Sequence, residues 1–157
     1  MPVLMLFAVL SAANVAADLT EIGPRKTVAK LVEGGDWPRA LQGISRGNRA
    51  WIELAPQLAR GTDAAGAEGL DVALAEALPI AAADVLAAVD QQRGPEIGVQ
   101  RVCSAPFADA AKRDIPAYVA SARAAVTAVS PLTLGAVRQA CLRELAAAEA
   151  DWIKTNP

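Results

Sequence analysis

The sequence predicts an all-α protein, with helical hairpins packed as a bundle or a short solenoid-like stack and one disulfide. Alanine, the strongest helix former, accounts for 37 of the 157 residues, whereas aromatic residues make up only 4%. No stretch shows the alternation of β-branched and aromatic residues that is typical of strands. Because the predicted connections are short and no repeat of fixed period stands out, a bundle is favoured over a stack.

The N-terminus has the features of an export signal. An uncharged apolar run is followed by small residues up to Ala17, which fits the small-residue rule for signal-peptidase cleavage, although no Lys or Arg precedes the run. We therefore expect a signal peptide at residues 1–17 and a single all-α domain at residues 18–157, with a mobile leader at residues 18–23. A buried N-terminal helix is the alternative, and the run is short for a transmembrane span.

Helix-start and helix-stop residues divide the first half of the chain into short helices. Pro24 fits the first turn of one helix, and Asp36 is placed to cap the next. Pro56 lies inside an apolar pattern of helical spacing and should kink or limit that helix. In chain order the predicted helical segments are 23–35, 37–47, 49–61, 65–78 (capped by Thr62 or Asp63 and stopped by Pro79) and 82–94.

The second half is predicted to hold a long loop and two longer helices. Residues 94–107 contain two prolines and two glycines and should form the longest loop. Residues 108–129 should be helical around Pro116. Ser130 and Pro131 then begin the longest helix, whose apolar stripe is Val137, Cys141, Leu145, Ala148 and Trp152. These segments suggest three hairpins, 36–61, 67–92 and 108–154.

The two cysteines are expected to form the disulfide Cys103–Cys141, because an even number of cysteines in an exported chain favours pairing. The bridge would close a loop of 38 residues, and such a loop stabilises a fold by about 4 kcal/mol on the chain-entropy model. Two alternatives stay open at this stage. Cys103 could be a reactive thiolate activated by Arg101, or the pair could be part of a metal site, for which two cysteines are too few.

Composition excludes several familiar chemistries. The chain contains no histidine, so it can form neither a Ser-His or Cys-His catalytic pair nor a histidine-ligated zinc site. A net charge of −2 without basic clusters gives no electrostatic footprint for nucleic acid. No phosphate-binding loop or dinucleotide fingerprint occurs. We expect no catalytic residues, no metal site, no cofactor and no nucleic-acid partner.

A few side chains are candidates for binding. Asp63 and Glu68 flank a turn of small residues with Arg60 beside it, and this cluster could bind a cation or the amine of a peptide. The simpler interpretation is that Thr62 or Asp63 caps the helix and that Glu68 and Asp71 lie near its positive end. Trp37 and Trp51 could form a ligand platform, although such residues more often fill the core between alanine-lined helices.

Several short stretches along the chain together form a pattern, and they are Trp51-Ile52-Glu53-Leu54-Ala55, Gly61-Thr62-Asp63-Ala64, the stretch Leu70 to Leu78, Val85-Leu86, Val102-Cys103, Pro106-Phe107 and Cys141. In this pattern the sequence resembles a group of small exported α-helical proteins of Gram-negative bacteria, rich in alanine and arginine and carrying two cysteines. This resemblance implies an export location and a helical build, and it implies no activity.

Taken together, these observations predict a periplasmic or secreted, non-enzymatic protein that binds another protein of the cell envelope, as an accessory factor, inhibitor or immunity protein. No stable membrane span is expected once the signal peptide is cleaved. The alternative is a small-ligand or peptide-binding module with a pocket near Asp63 and Glu68.

Overall fold

The structure of the protein, a computed structural model, describes residues 10–91 and 97–157. All the regular secondary structure in these residues is helical, which confirms the predicted all-α class. A 3₁₀ turn at Ala110–Lys112 precedes α9. The α-helices are α1 (Ala12–Glu21), α2 (Pro24–Glu33), α3 (Trp37–Ser45), α4 (Arg49–Ile52), α5 (Ala55–Gly61), α6 (Ala64–Ala77), α7 (Ala82–Gln91), α8 (Val99–Cys103), α9 (Ile115–Ala128) and α10 (Pro131–Thr155).

Polar caps begin several helices where the sequence predicts them. The Asp63 carboxylate accepts a hydrogen bond from the Gly66 N–H at 2.9 Å at the start of α6. Ser130 Oγ accepts one from the Leu132 N–H at 3.4 Å at the start of α10. Asp36 occupies the N-cap of α3, but its side chain makes no capping hydrogen bond. The side-chain oxygens of Asp63 and Ser130 thus satisfy N–H groups that have no partner inside the helix.

Two prolines lie at helix starts. Pro56 is in the first turn of α5 and divides the predicted segment 49–61 into α4 and α5, which confirms that it limits a helix. Pro116 is in the first turn of α9, so the prediction of a continuous helix over 108–129 was wrong in its first turns. Proline is tolerated in a first turn because the N–H that it lacks would have no partner there.

Helix α8 lies inside the segment 94–107 that the sequence predicts to be a loop. Val102 and Cys103 on this helix are both fully buried. Packing of its apolar side therefore stabilises a helix that is too short to be stable by propensity alone. Residues 94–96 of the predicted loop lie outside the described residues.

Helix α1 spans the predicted cleavage point after Ala17. Val15 and Leu19, on either side of that bond, are both buried in the core, at 2% and 4% exposure. The prediction of a mobile leader at residues 18–23 was therefore wrong, because residues 18–21 belong to the packed helix α1 and only Ile22 and Gly23 connect it to α2. Residues 1–9 of the predicted signal peptide lie outside the described residues, and cleavage after Ala17 stays a prediction.

One hydrophobic core extends across the helices. Only some of the helix pairs with the most extensive packing are consecutive in the chain. Helix α2 packs chiefly against α5, and α3 chiefly against α6, whereas α9 and α10 form a hairpin as predicted. The predicted neighbours α3–α4 and α6–α7 also touch. Helix α10 contacts α7, α8 and α9 and carries the predicted stripe, in which Val137, Cys141 and Leu145 are buried and Ala148 and Trp152 are partly buried. None of the described helices combines the length with the hydropathy that a bilayer-spanning segment requires.

The disulfide Cys103–Cys141 joins the end of α8 to the middle of α10, which confirms the predicted pairing. Its sulfur atoms are 2.06 Å apart, its Cα atoms are 5.3 Å apart, and both residues are fully buried. No free cysteine is left. The alternatives of a reactive Cys103 thiolate and of a cysteine metal site therefore do not apply to this fold.

Candidate functional site

The two tryptophans proposed as a ligand platform lie at the edge of the core and inside it. Trp37 is partly buried and packs against the core, and Trp51 is 9% exposed. A Cβ on Gly43 would overlap the indole ring of Trp51, which shows how closely the α3 backbone lies against this ring. The indole of Trp51 therefore fills the space between helices and offers little surface to a ligand.

The polar residues predicted to bind a ligand near the start of α6 have different roles in the structure. Asp63 is the cap described above, and its carboxylate is engaged by the Gly66 N–H. Arg60 is an exposed residue in the last turn of α5. Glu68 is exposed on α6 and lines two clefts, one on each side of that helix. Of the predicted polar residues, Glu68 is the one that borders open space in both of these clefts.

The first cleft, which we call the α3–α6 groove, has a volume of about 500 Å³. Its walls are apolar for most of their length, with Leu41 of α3 facing Val72 of α6. Gly69 keeps the two helices close, since a Cβ there would lie 3.1 Å from Leu41 Cδ1. The lining residues are Pro38, Leu41, Gln42 and Ser45 from α3, and Ala65, Glu68, Gly69, Val72, Ala73 and Glu76 from α6.

The second cleft, which we call the Asp71 cleft, has a volume of about 410 Å³. It lies between α6, the end of α8 and the segment that follows α8. Its lining residues are Glu68 and Asp71 from α6, Arg101 from α8, and Ser104, Ala105, Pro106, Phe107 and Ala108 from the following segment.

Asp71 is a buried acid held by one arginine. The residue is 1% exposed, and its Oδ2 accepts a hydrogen bond from Arg101 Nε at 2.5 Å. Its Oδ1 is buried and has no hydrogen-bond partner among the described residues. Burial raises the pKa of Asp71 to about 6, and the charge of Glu68 acts in the same direction, while the hydrogen bond and charge of Arg101 oppose the rise. Burial therefore outweighs the ion pair at this carboxylate.

An aromatic and arginine cluster holds the wall of the Asp71 cleft against α6. The Phe107 and Tyr118 rings meet edge to face at 4.9 Å, and the Arg113 guanidinium lies 4.2 Å from the Phe107 ring centroid. Arg113 also pairs with Glu76 of α6 at 2.8 Å. The Tyr118 hydroxyl donates to the Ala75 carbonyl at 2.8 Å, and burial raises the pKa of this phenol. Charged and aromatic contacts thus fix a segment that has little regular structure of its own.

Asp71 and Arg101 were missed as a pair at the sequence level, although a signal was present. Asp71, Leu74, Ala75 and Leu78 recur at i, i+3, i+4 and i+7, which places an acid in the apolar face of α6. A carboxylate in that position needs a buried donor. The identity of the donor depends on contact between residues 30 positions apart in the chain.

The described residues contain no cluster of three or more acidic or cysteine side chains that could hold a metal ion. The chain matches no protein-family model, no curated protein and no solved structure. The two clefts on either side of α6 are therefore interpreted from their own chemistry. That chemistry is an open apolar groove with an acidic rim, beside a smaller cleft with a buried acid.

Proposed function

We propose that this protein is an exported, non-enzymatic binding protein, and that the α3–α6 groove receives a short segment of a partner protein in the cell envelope. The observation that carries the proposal is the groove itself, an open apolar cleft of about 500 Å³ with Glu68 on its rim. An amphipathic helix seated in an apolar groove is a recurrent mode of protein recognition.

The apolar floor of the groove determines one half of the partner's chemistry. Leu41 and Val72 are only partly buried by the fold, so a partner side chain would remove their remaining surface from water. Burial of apolar surface is worth about 25 cal/mol per Å². We therefore expect the partner segment to present two or three aliphatic or aromatic side chains on one face.

The acidic rim of the groove determines the charge that the partner segment should carry. Glu68 makes no ion pair within the part of the chain that the structure describes, whereas Glu76 at the far end pairs with Arg113. A partner with a lysine or arginine beside its apolar face would pair with Glu68. Rim charges of this kind act mainly on association rate and specificity.

Export is supported by the apolar N-terminal run and by the disulfide, because protein disulfides persist in oxidising compartments. Removal of residues 1–17 as a signal peptide would fix the mass of the mature protein. The protein recovered from the periplasm should begin at Asp18, with both thiols blocked until reduction. A full-length cytoplasmic product with free thiols would contradict export.

The groove is tested by site-specific photocrosslinking in the source organism. A photoreactive residue replaces Gln42, an exposed groove residue, or Gln57, an exposed glutamine on α5 outside the groove. The Gln42 position should give one discrete adduct with an envelope protein, and the Gln57 position should not. The adduct should present a segment with an apolar face and a basic residue at the crosslinked site.

Matched substitutions then test whether the groove itself binds. Val72→Arg places a charge in the groove and should abolish the adduct, whereas Val32→Arg, at a 56% exposed valine on α2, should leave it intact. Glu68→Lys should weaken the adduct, and Glu33→Lys should not. Circular dichroism must show that each variant is folded. No adduct from the groove, or equal adducts from both glutamine positions, would refute the proposal.

A further inference from the structure

We infer that a third cleft binds an organic amine in its cationic form, with the ammonium group paired to Glu144 and the apolar body of the amine against Trp152. This cleft, which we call the Trp152 cleft, is lined by Glu144, Asp151, Trp152 and Thr155 of α10 and by Ser104 and Ile115 of the segment between α8 and α9. The inference goes beyond the proposed function, because the Trp152 cleft shares no residue with the α3–α6 groove.

The first ground is an open carboxylate. Glu144 is half-buried, and within the described part of the chain it makes neither an ion pair nor a hydrogen bond. Its oxygens are in contact with solvent, since the buried side-chain oxygen without a partner in the described residues belongs to Asp71. A ligand can therefore reach the carboxylate of Glu144 without any movement of the protein.

The second ground is that the polar side chains of the cleft all present acceptors. Asp151 is a second carboxylate, and its contact with Lys154 at 3.4 Å joins two side chains that are 76% and 75% exposed, so it is weak. The hydroxyls of Ser104 and Thr155 donate to backbone carbonyls and keep their lone pairs for a ligand. No arginine or lysine is among the described residues that line the cleft. A ligand must therefore bring the N–H donors and the positive charge.

The third ground is the apolar part of the wall. Trp152 is partly buried and packs against the core, and Ile115 is 3% exposed. Ala147 and Ala148 are small and leave room beside the indole ring. The volume of about 300 Å³ is at the small end of the range for ligand pockets. An amine with a compact apolar body fits this space, and its charge is also attracted by the indole ring.

The fourth ground is that the walls of the cleft are held together covalently. Cys103 directly precedes Ser104, and its disulfide partner Cys141 lies one turn before Glu144 on α10. Ala105, the next residue of the wall, has a φ of 54°, a left-handed conformation that is uncommon outside glycine. The bridge and this turn fix the wall before a ligand arrives. A preformed wall lowers the entropic cost of binding.

The experiment is a calorimetric titration of the disulfide-intact protein with phenethylammonium chloride. Each of three controls changes one property of this probe. Ethylammonium lacks the apolar body, phenethyl alcohol lacks the charge, and phenylacetate reverses the charge. We expect saturable binding of phenethylammonium and at least tenfold weaker binding of every control. The indole N–H resonance of Trp152 should shift in the first titration, whereas those of Trp37 and Trp51 should not.

Four variants locate the binding. Glu144→Gln should lower the affinity for phenethylammonium by tenfold or more, and Trp152→Leu, which keeps an apolar side chain, should lower it severalfold. Glu33→Gln on α2 should leave it unchanged. Val72→Arg, which blocks the α3–α6 groove, should also leave it unchanged, so failure of the groove and failure of the Trp152 cleft are distinguishable. Circular dichroism must show that each variant is folded.

The source of the amine is resolved by a second titrant, an amidated tripeptide with a free amino-terminal phenylalanine. Tighter binding of the tripeptide than of phenethylammonium indicates the amino terminus of a peptide, and equal or weaker binding indicates a free amine. The inference is overturned if the folded wild-type protein binds neither titrant up to about 20 mM, well beyond millimolar recognition. It is also overturned if Glu144→Gln binds phenethylammonium as well as wild type, or if phenethyl alcohol binds as tightly as the amine.

Discussion

Replacement of Asp71 by asparagine tests how burial and the ion pair with Arg101 compare in energy. The substitution keeps the shape of the side chain and one acceptor oxygen, replaces the other oxygen with an NH2 donor, and removes the ionisable group. Because Asp71 is almost fully buried, its pKa rises from 3.8 to about 6 in the folded protein. Each pKa unit corresponds to about 1.4 kcal/mol of preference for the protonated form.

The direction in which stability changes with pH follows from proton binding to Asp71. Between about pH 4 and pH 6 the folded protein holds a proton on Asp71 that the unfolded chain has lost, so stability falls as pH rises through this window and is constant above it. The shift of about two units corresponds to about 3 kcal/mol. Asp71→Asn has no such proton. The free energy of unfolding of the variant minus that of wild type should therefore rise by about 3 kcal/mol between about pH 4 and pH 7.

The assay is urea unfolding followed by far-UV circular dichroism, with the disulfide intact, at several pH values across this range. Asp90→Asn, at an exposed aspartate on α7, is the control for loss of a surface charge. A difference between Asp71→Asn and wild type that does not change with pH would refute the argument that burial dominates. If the stability of Asp71→Asn relative to wild type falls as pH rises, the ion pair with Arg101 is the stronger effect.

Three further substitutions test packing and covalent constraints, each by its effect on the urea midpoint. Replacement of both cysteines by serine should lower the free energy of unfolding by about 4 kcal/mol, and an unchanged midpoint would contradict the loop-entropy estimate. Gly43→Ala should destabilise by about 1–3 kcal/mol and alter the fluorescence of Trp51, because the new methyl group overlaps the indole. Its control, Gly135→Ala, meets open space within α10 and should be neutral or stabilising. Tyr118→Phe removes the hydrogen bond to the Ala75 carbonyl and should cost about 1 kcal/mol; an unchanged midpoint would show that this bond adds nothing net.

Most of the features predicted correctly from the sequence depend on neighbouring residues, and the disulfide is the exception. The cap at Asp63, the helix start at Ser130 and the limit at Pro56 each follow from the chemistry of one or two positions. The disulfide followed from a count of two cysteines and the expectation of export. Neither the local rules nor the count of cysteines requires knowledge of which helices meet.

The features that were missed depend on contacts between distant segments. Helix α8 is too short to be predicted by propensity and is stabilised by burial of Val102 and Cys103. The pairing of α2 with α5 joins helices that are not consecutive. The candidate site was only half predicted for the same reason. Glu68 was identified, whereas Asp71 and Arg101 become partners only when α8 packs against α6.

The disulfide also determines how the protein responds to a protease. The two bridged cysteines enclose the segment that follows α8, where Lys112 is exposed in a 3₁₀ turn with little regular structure around it. A single cut there would leave two fragments joined through α8 and α10. They would migrate as one species until a reductant separated them. In an oxidising compartment rich in proteases, such a nicked chain would remain one molecule, with most of its core still covalently connected.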